Sequence, residues 1–97
     1  MGGFLVSPAE IEAEILSHGS VDNVQVVAAG NRAIAFVLLA AGKALDEAAI
    51  QAHCARRLAK YKVPARIVAL DAFPTTASAN GEKIQRARLR DMAEALI

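Results

Sequence analysis

The 97-residue chain has a single cysteine, Cys54, so no disulfide can form within it. That usage fits a reducing compartment. No apolar run is long enough to span a membrane. The opening residues, MGGFLVSPAE, lack the basic segment and apolar run of a secretory signal. The cytoplasm is therefore the default location. There is one tyrosine, no internal repeat and no low-complexity linker. Net charge is +1, which gives no general attraction to nucleic acid or to a membrane surface. What remains is one globular domain. Hydrophobic residues make up 55% of it, and many are alanine, so the expected core is real but thin.

The charge is unevenly distributed. Residues 1–52 carry two basic and six acidic side chains, whereas residues 53–97 carry nine basic and four acidic ones. Such asymmetry points the second half toward something anionic, although solvated helix faces would give the same composition.

Local signals divide the chain into elements. In VSPAEIEAEIL, Ser7 is a good helix N-cap, Pro8 suits the first helical position, and Glu10 completes a capping box. Ile11 and Ile15 form the buried stripe of this helix, and Gly19 is its stop. For Glu10, Glu12 and Glu14, capping and solvation are the simplest reading. VDNVQVVAAGNRAIAFVLLAAG reads as two strands turning at Gly30–Asn31. The second, Ala33 to Leu39, is almost wholly apolar and is expected to be central. A helix capped by Asp46 follows, with Ile50, Cys54, Leu58 and Tyr61 at helical spacing. Cys54 thus reads as a small core residue, and His53 has no partner at metal-ligand spacing. Arg66 to Leu70 reads as a third strand, Asp71 to Glu82 as a long loop, and a last helix starts near Ile84 or Arg86. That helix is expected to keep Leu89, Met92, Ala93 and Leu96 on one face. The order is short strand, helix, two strands, helix, strand, loop, helix. It predicts an α/β (α+β) domain, a small three-stranded sheet with flanking helices.

Three stretches in this order resemble the C-terminal domain of the AMP-forming acyl-CoA synthetases, members of the adenylate-forming superfamily. GGFLVSPAEIEAEIL is similar to the glycine hairpin and first helix after that family's interdomain hinge. HCARRLAKYKVPARIVALDAFP is similar to its helix, Lys-Tyr-Lys turn and Pro-led strand. TTASANGEKIQRARLR is similar to its terminal lysine motif, with a longer spacing here between Ser78 and Lys83. The resemblance spans nearly all of residues 1–97. It implies the mobile C-terminal domain of an ATP-dependent acid–thiol ligase, such as a fatty-acid or other acyl-CoA synthetase. The hinge, the large N-terminal adenylation domain, its phosphate-binding loop and its acyl pocket have no counterpart in these residues.

The resemblance also implies site residues. Lys83 takes the role of the adenylation lysine. A compact cation on a long stem suits the meeting of a carboxylate with the α-phosphate of ATP, because both reactants are anions. Without the resemblance, Lys83 reads as a surface lysine. Gly2, Gly3 and Phe4 match the hairpin that lines the pantetheine path of coenzyme A, and Gly81 belongs to the lysine motif. Glycine lets backbone approach a narrow chain without a side-chain clash. Arg56, Arg57, Lys60 and Lys62 would face coenzyme A phosphates or simply solvent. ATP and coenzyme A are expected as substrates of the whole enzyme, with magnesium entering with ATP and held by the adenylation domain. No cofactor or metal is expected on this chain alone. Its expected partners are that domain and the small-molecule substrates. Two other readings remain: a non-catalytic module docking on a separate adenylating subunit, and a nucleic-acid binder using Lys83, Arg86, Arg88 and Arg90. Net charge, the lone tyrosine and the lack of a nucleic-acid motif weigh against the second.

Overall fold

A computed structural model describes residues 8–30, 32–78 and 81–96. Helix α1 (Pro8–Leu16) leads into strands β1 (Val21–Ala29) and β2 (Arg32–Leu39). Helix α2 (Glu47–Ala55) and a 3₁₀ turn (Lys60–Lys62) follow. Strand β3 (Arg66–Ala69), a hairpin of β4 (Thr75–Ser78) and β5 (Gly81–Ile84), and helix α3 (Arg86–Glu94) complete the order. The short first strand expected from the sequence, and the Ser7 cap, lie outside the described residues. Asp46 caps α2 as expected, its carboxylate accepting from the Ala49 amide at 3.0 Å.

The main sheet has the order β1-β2-β3, antiparallel on one side of β2 and parallel on the other. The apolar β2 is thus central, as its composition requires. Strands β1 and β2 close with Ala29 opposite Arg32, across a turn in which Gly30 takes φ +63°. The pairing register shifts between Val21 and Asn23. This irregularity lets Val21 and Val24, three residues apart, face the same side of the sheet.

Alternation along the strands splits the core into two layers. Ile11 and Ile15 of α1 and Ile50 and Cys54 of α2 meet Val24, Val26, Ala35, Val37 and Ile67 on one face. On the other face Leu89 and Ala93 of α3 meet Val27, Ala29, Ile34, Phe36 and Phe73. Burial at Cys54 pushes its thiol pKa up to about 11, so it is a core residue and a poor nucleophile at neutral pH. Helix α3 departs from expectation: Met92 and Leu96 are exposed, and only the Leu89–Ala93 line is buried. A helix resting on one flank of a three-stranded sheet finds apolar partners for an i, i+4 line and no wider stripe.

On each edge strand a glutamate accepts from one backbone amide. At β1 the Val26 amide donates to Glu12 Oε2 at 2.8 Å. At β3 the Ile67 amide donates to Glu47 Oε2 at 2.8 Å, and Arg66 Nε donates to the same oxygen. These bonds hold the Glu47 carboxyl below its ordinary pKa of 4.5, the Ile67 amide first and the Arg66 guanidinium second. A carboxyl with a lowered folded-state pKa adds stability above its unfolded value, and the gain is lost as pH falls through the folded one. Glu47→Gln is therefore expected to lower the urea midpoint at pH 7, with the difference shrinking steadily below pH 4.5. A difference that stays constant from pH 7 to pH 2.5 would contradict this assignment. Among the described residues no helix is long and apolar enough to cross a membrane.

Candidate active-site hairpin

Lys83 is not at the tip of a loop. The segment expected to be a loop between Asp71 and Glu82 contains β4 and the start of β5, which pair antiparallel from Thr75–Ile84 at the base to Ser78–Gly81 at the tip. Lys83 stands opposite Thr76 on β5. The hairpin escapes sequence reading because Thr75, Thr76, Gly81 and Lys83 are exposed and, among its described side chains, only Ile84 at the base meets the core, which leaves no apolar–polar alternation to read. Gly81 takes φ +109°, a conformation that side chains rarely adopt, and any Cβ there would be strained although the space is open. Gly81 and Lys83 thus share one strand, two residues apart.

The base of the hairpin is tied down at several points. The Gln85 amide donates to the Pro74 carbonyl at 2.8 Å, and Gln85 Nε2 donates to Thr76 Oγ1. Ile84, half-buried, packs against the layer that holds Phe73 and Leu89. Arg86 then reaches across to β1. Its Nη2 donates to the Val26 carbonyl and its Nη1 to Gln25 Oε1, with Glu12 Oε2 at 3.7 Å. Among the described residues the Lys83 ammonium has neither a hydrogen-bond nor an ion-pair partner. Lys83 is thus an exposed cation, unpartnered among the described residues, on a short strand anchored at its base.

The other candidate residues are distributed differently. Gly2, Gly3 and Phe4 lie outside the described residues. Lys62 forms an ion pair with Glu10 at 3.0 Å. Arg57, largely exposed, lies 3.7 Å from Glu14. Arg56 and Lys60 are exposed. The three glutamates of α1 are therefore more than solvated or capping groups. Glu10 meets the 3₁₀ turn, Glu12 meets β1 and α3, and Glu14 meets the end of α2.

Sequence reading also missed a histidine pair. His18 and His53 stand edge to face with ring centres 5.3 Å apart. Ser17 Oγ gives its one proton to the Glu14 carbonyl, so its 2.7 Å contact with His53 Nε2 requires the imidazole to donate. His18 Nδ1 contacts Ser20 Oγ at 2.7 Å. This arrangement fastens α1 to α2. Among the described residues no group of three His, Cys, Asp or Glu side chains is placed to hold a metal ion.

Comparison with known proteins places this architecture. Residues 10–80 match the AMP-binding enzyme C-terminal domain. A 2-succinylbenzoate–CoA ligase from Geobacillus kaustophilus is 45% identical over 94 residues, covering 92% of this chain and 19% of that enzyme. A mitochondrial medium-chain acyl-CoA ligase from Rattus norvegicus is 33% identical over 96% of this chain and 15% of its own length. The crystal structure of apo MatB from Rhodopseudomonas palustris superposes with a TM-score of 0.84 at 31% identity, over 98% of this chain and 19% of that one. The chain thus spans about a fifth of the length of the curated relatives it matches. With the fold, the topology and these likenesses in agreement, the chain belongs to the family of AMP-binding enzyme C-terminal domains.

Proposed function

We propose that this chain acts as the C-terminal domain of an ATP-dependent acyl-CoA ligase and that Lys83 serves its first half-reaction. In that step a carboxylate oxygen attacks the α-phosphorus of ATP, pyrophosphate leaves, and an acyl-adenylate forms. Two anions must approach each other. The Lys83 ammonium offsets their repulsion and stabilises the charge that builds in the transition state. The observation that carries this reading is the state of Lys83: a solvent-facing cation with no partner among the described residues, on a strand whose base is bonded to the domain body. A lysine already committed to an ion pair would have to break it first.

In the second half-reaction the thiol of coenzyme A attacks the acyl carbonyl and AMP departs. Gly2, Gly3 and Phe4 are proposed to line the pantetheine path, and Gly81 to shape the lysine hairpin. The partner is the adenylation domain, which supplies the acyl pocket and the nucleotide site. The relatives' names cover 2-succinylbenzoate and medium-chain acyl groups. They favour a carboxylic acid in general, with no particular support for a long-chain fatty acid. The buried single cysteine suits the reducing cytoplasm.

An exchange of domains tests the proposal. This chain is fused to the adenylation region of the Geobacillus kaustophilus ligase in place of that enzyme's own C-terminal region. The fusion is expected to form acyl-CoA well above the level of the truncated ligase. A soluble, folded fusion no more active than the truncated enzyme would contradict the proposal.

A further inference from the structure

Arg86 stands where a cation is unfavourable. It is the first residue of α3, at the positive end of the helix dipole, and the first turn of α3 contains no acidic residue. Its N-cap, Gln85, offers no side-chain bond to the helix. A local rule broken at one position calls for a compensating role. The compensation is visible: Arg86 reaches β1, where it bonds the Val26 carbonyl and Gln25 Oε1 and lies 3.7 Å from Glu12 Oε2. Glu12 in turn holds the Val26 amide at 2.8 Å. One residue of the sheet edge is thus gripped on both polar groups, by a glutamate from the helix on one face and an arginine from the helix on the other. Val26 belongs to the α1 layer, and Leu89, one turn beyond Arg86, belongs to the α3 layer. The clamp therefore spans the sheet edge.

Its place in the chain gives the clamp a consequence. Arg86 follows Lys83 by three residues, a chain length of at most roughly 11 Å. Between them lie only the end of β5 and Gln85. The described strand residues Thr75, Thr76, Gly81 and Lys83 are exposed, so the direction of the hairpin is set at its base. We propose that Arg86 is a positioning residue: its fork on Val26 and Gln25, braced by Glu12, fixes the direction in which the β4–β5 hairpin presents the Lys83 ammonium. This rests on the reading of Lys83 as the adenylation cation. An arginine suits the task because its planar fork fixes angle as well as distance, which a lysine in its place would not.

The test uses the intact ligase, with this chain joined to its adenylation domain. Carboxylate-dependent ATP–pyrophosphate exchange is measured for Arg86→Met, Gln25→Ala, Lys83→Ala and the Lys83→Ala/Arg86→Met double variant. Thioester formation from supplied acyl-adenylate is measured beside it. Methionine keeps the apolar stem and removes the fork. Arg86→Met is expected to lower the exchange kcat by roughly 10- to 100-fold, because small misplacements of a reacting group have effects of that size. The KM for ATP should stay within about twofold, and thioester formation should be preserved. In the Lys83→Ala background the same change should cost no more than about twofold, since the arginine acts through the lysine. Arg88→Ala, the loss of an exposed cation from the same helix, should leave exchange unchanged.

Full exchange by Arg86→Met would overturn the proposal. So would equal losses in both half-reactions, which mark a folding defect, or an undiminished loss in the double variant. If Arg86→Met does not fold, Gln25→Ala decides: an exchange loss of about threefold with thioester formation preserved supports the clamp, and wild-type exchange overturns it. Lys83→Ala with unchanged exchange would remove the reading of Lys83 and the clamp with it. A strong Lys83→Ala effect beside a silent Arg86→Met removes the clamp alone.

Discussion

Lys83→Ala in the intact ligase is expected to slow carboxylate-dependent adenylation by about two to three decades. The size follows from the task. A pre-placed donor or cation at a developing charge contributes roughly 3–4 kcal/mol to the transition state when water is excluded, and each 1.4 kcal/mol is about a decade in rate. Lys83 can make that contribution because nothing among the described residues holds its ammonium in the free domain. The ammonium is presented on the domain's own hairpin, so its placement is set before the substrates meet. Arginine is a poor replacement here, since a broad planar fork does not fit where a compact point charge fits. Lys83→Arg should therefore recover only a small part of the lost rate. Pyrophosphate exchange with saturating acid and ATP reads both variants. Wild-type exchange in Lys83→Ala would leave Lys83 an ordinary surface residue.

Phe36→Ala should remove a large part of the stability of the 97-residue chain. Phe36 lies in the middle of the central strand and is 1% exposed. It packs in the layer under α3 with Val27, Ile34, Phe73 and Leu89, where Ala29 and Ala93 are the other fully buried members. A layer containing two alanines has little side-chain volume with which to collapse into the space left behind. The expected loss is about 3–5 kcal/mol, against a total of roughly 5–15 kcal/mol for a small domain. Helix α3 and the base of the β4–β5 hairpin rest on this layer through Leu89 and Ile84. Urea denaturation checks it: the midpoint should fall steeply with an unchanged slope. A loss under about 1 kcal/mol would mean that the α3 layer repacks freely.

The features that were legible in the sequence are those that local chemistry decides. The Asp46 cap, the Ile11–Ile15 stripe, the central apolar strand and the buried Cys54 each follow from a residue type at a fixed spacing, and each stands in the structure. The β4–β5 hairpin is not legible, because Thr75, Thr76, Gly81 and Lys83 are all exposed and a single core contact, Ile84 at the base, makes no alternation to read. Nor were the contacts of Glu12 and Arg86, or of His53 and Ser17. The Arg86–Val26 bond joins residues 60 apart, and the His53–Ser17 bond joins residues 36 apart. Both depend on how the layers stack, which no spacing along the chain encodes. The exposure of Met92 and Leu96 belongs to the same class: the helical period correctly aligns them with Leu89 and Ala93, but the width of the sheet decides how much of that stripe is covered.

The division of labour between the half-reactions is the most direct measure of the account. One preparation of the Lys83→Ala ligase is assayed twice, for ATP–pyrophosphate exchange with free acid and for thioester formation from supplied acyl-adenylate and coenzyme A. Exchange is expected to fall by about two to three decades and thioester formation to stay within about threefold of the unmutated enzyme, because only the first step brings two anions together. Equal losses in both assays would contradict it.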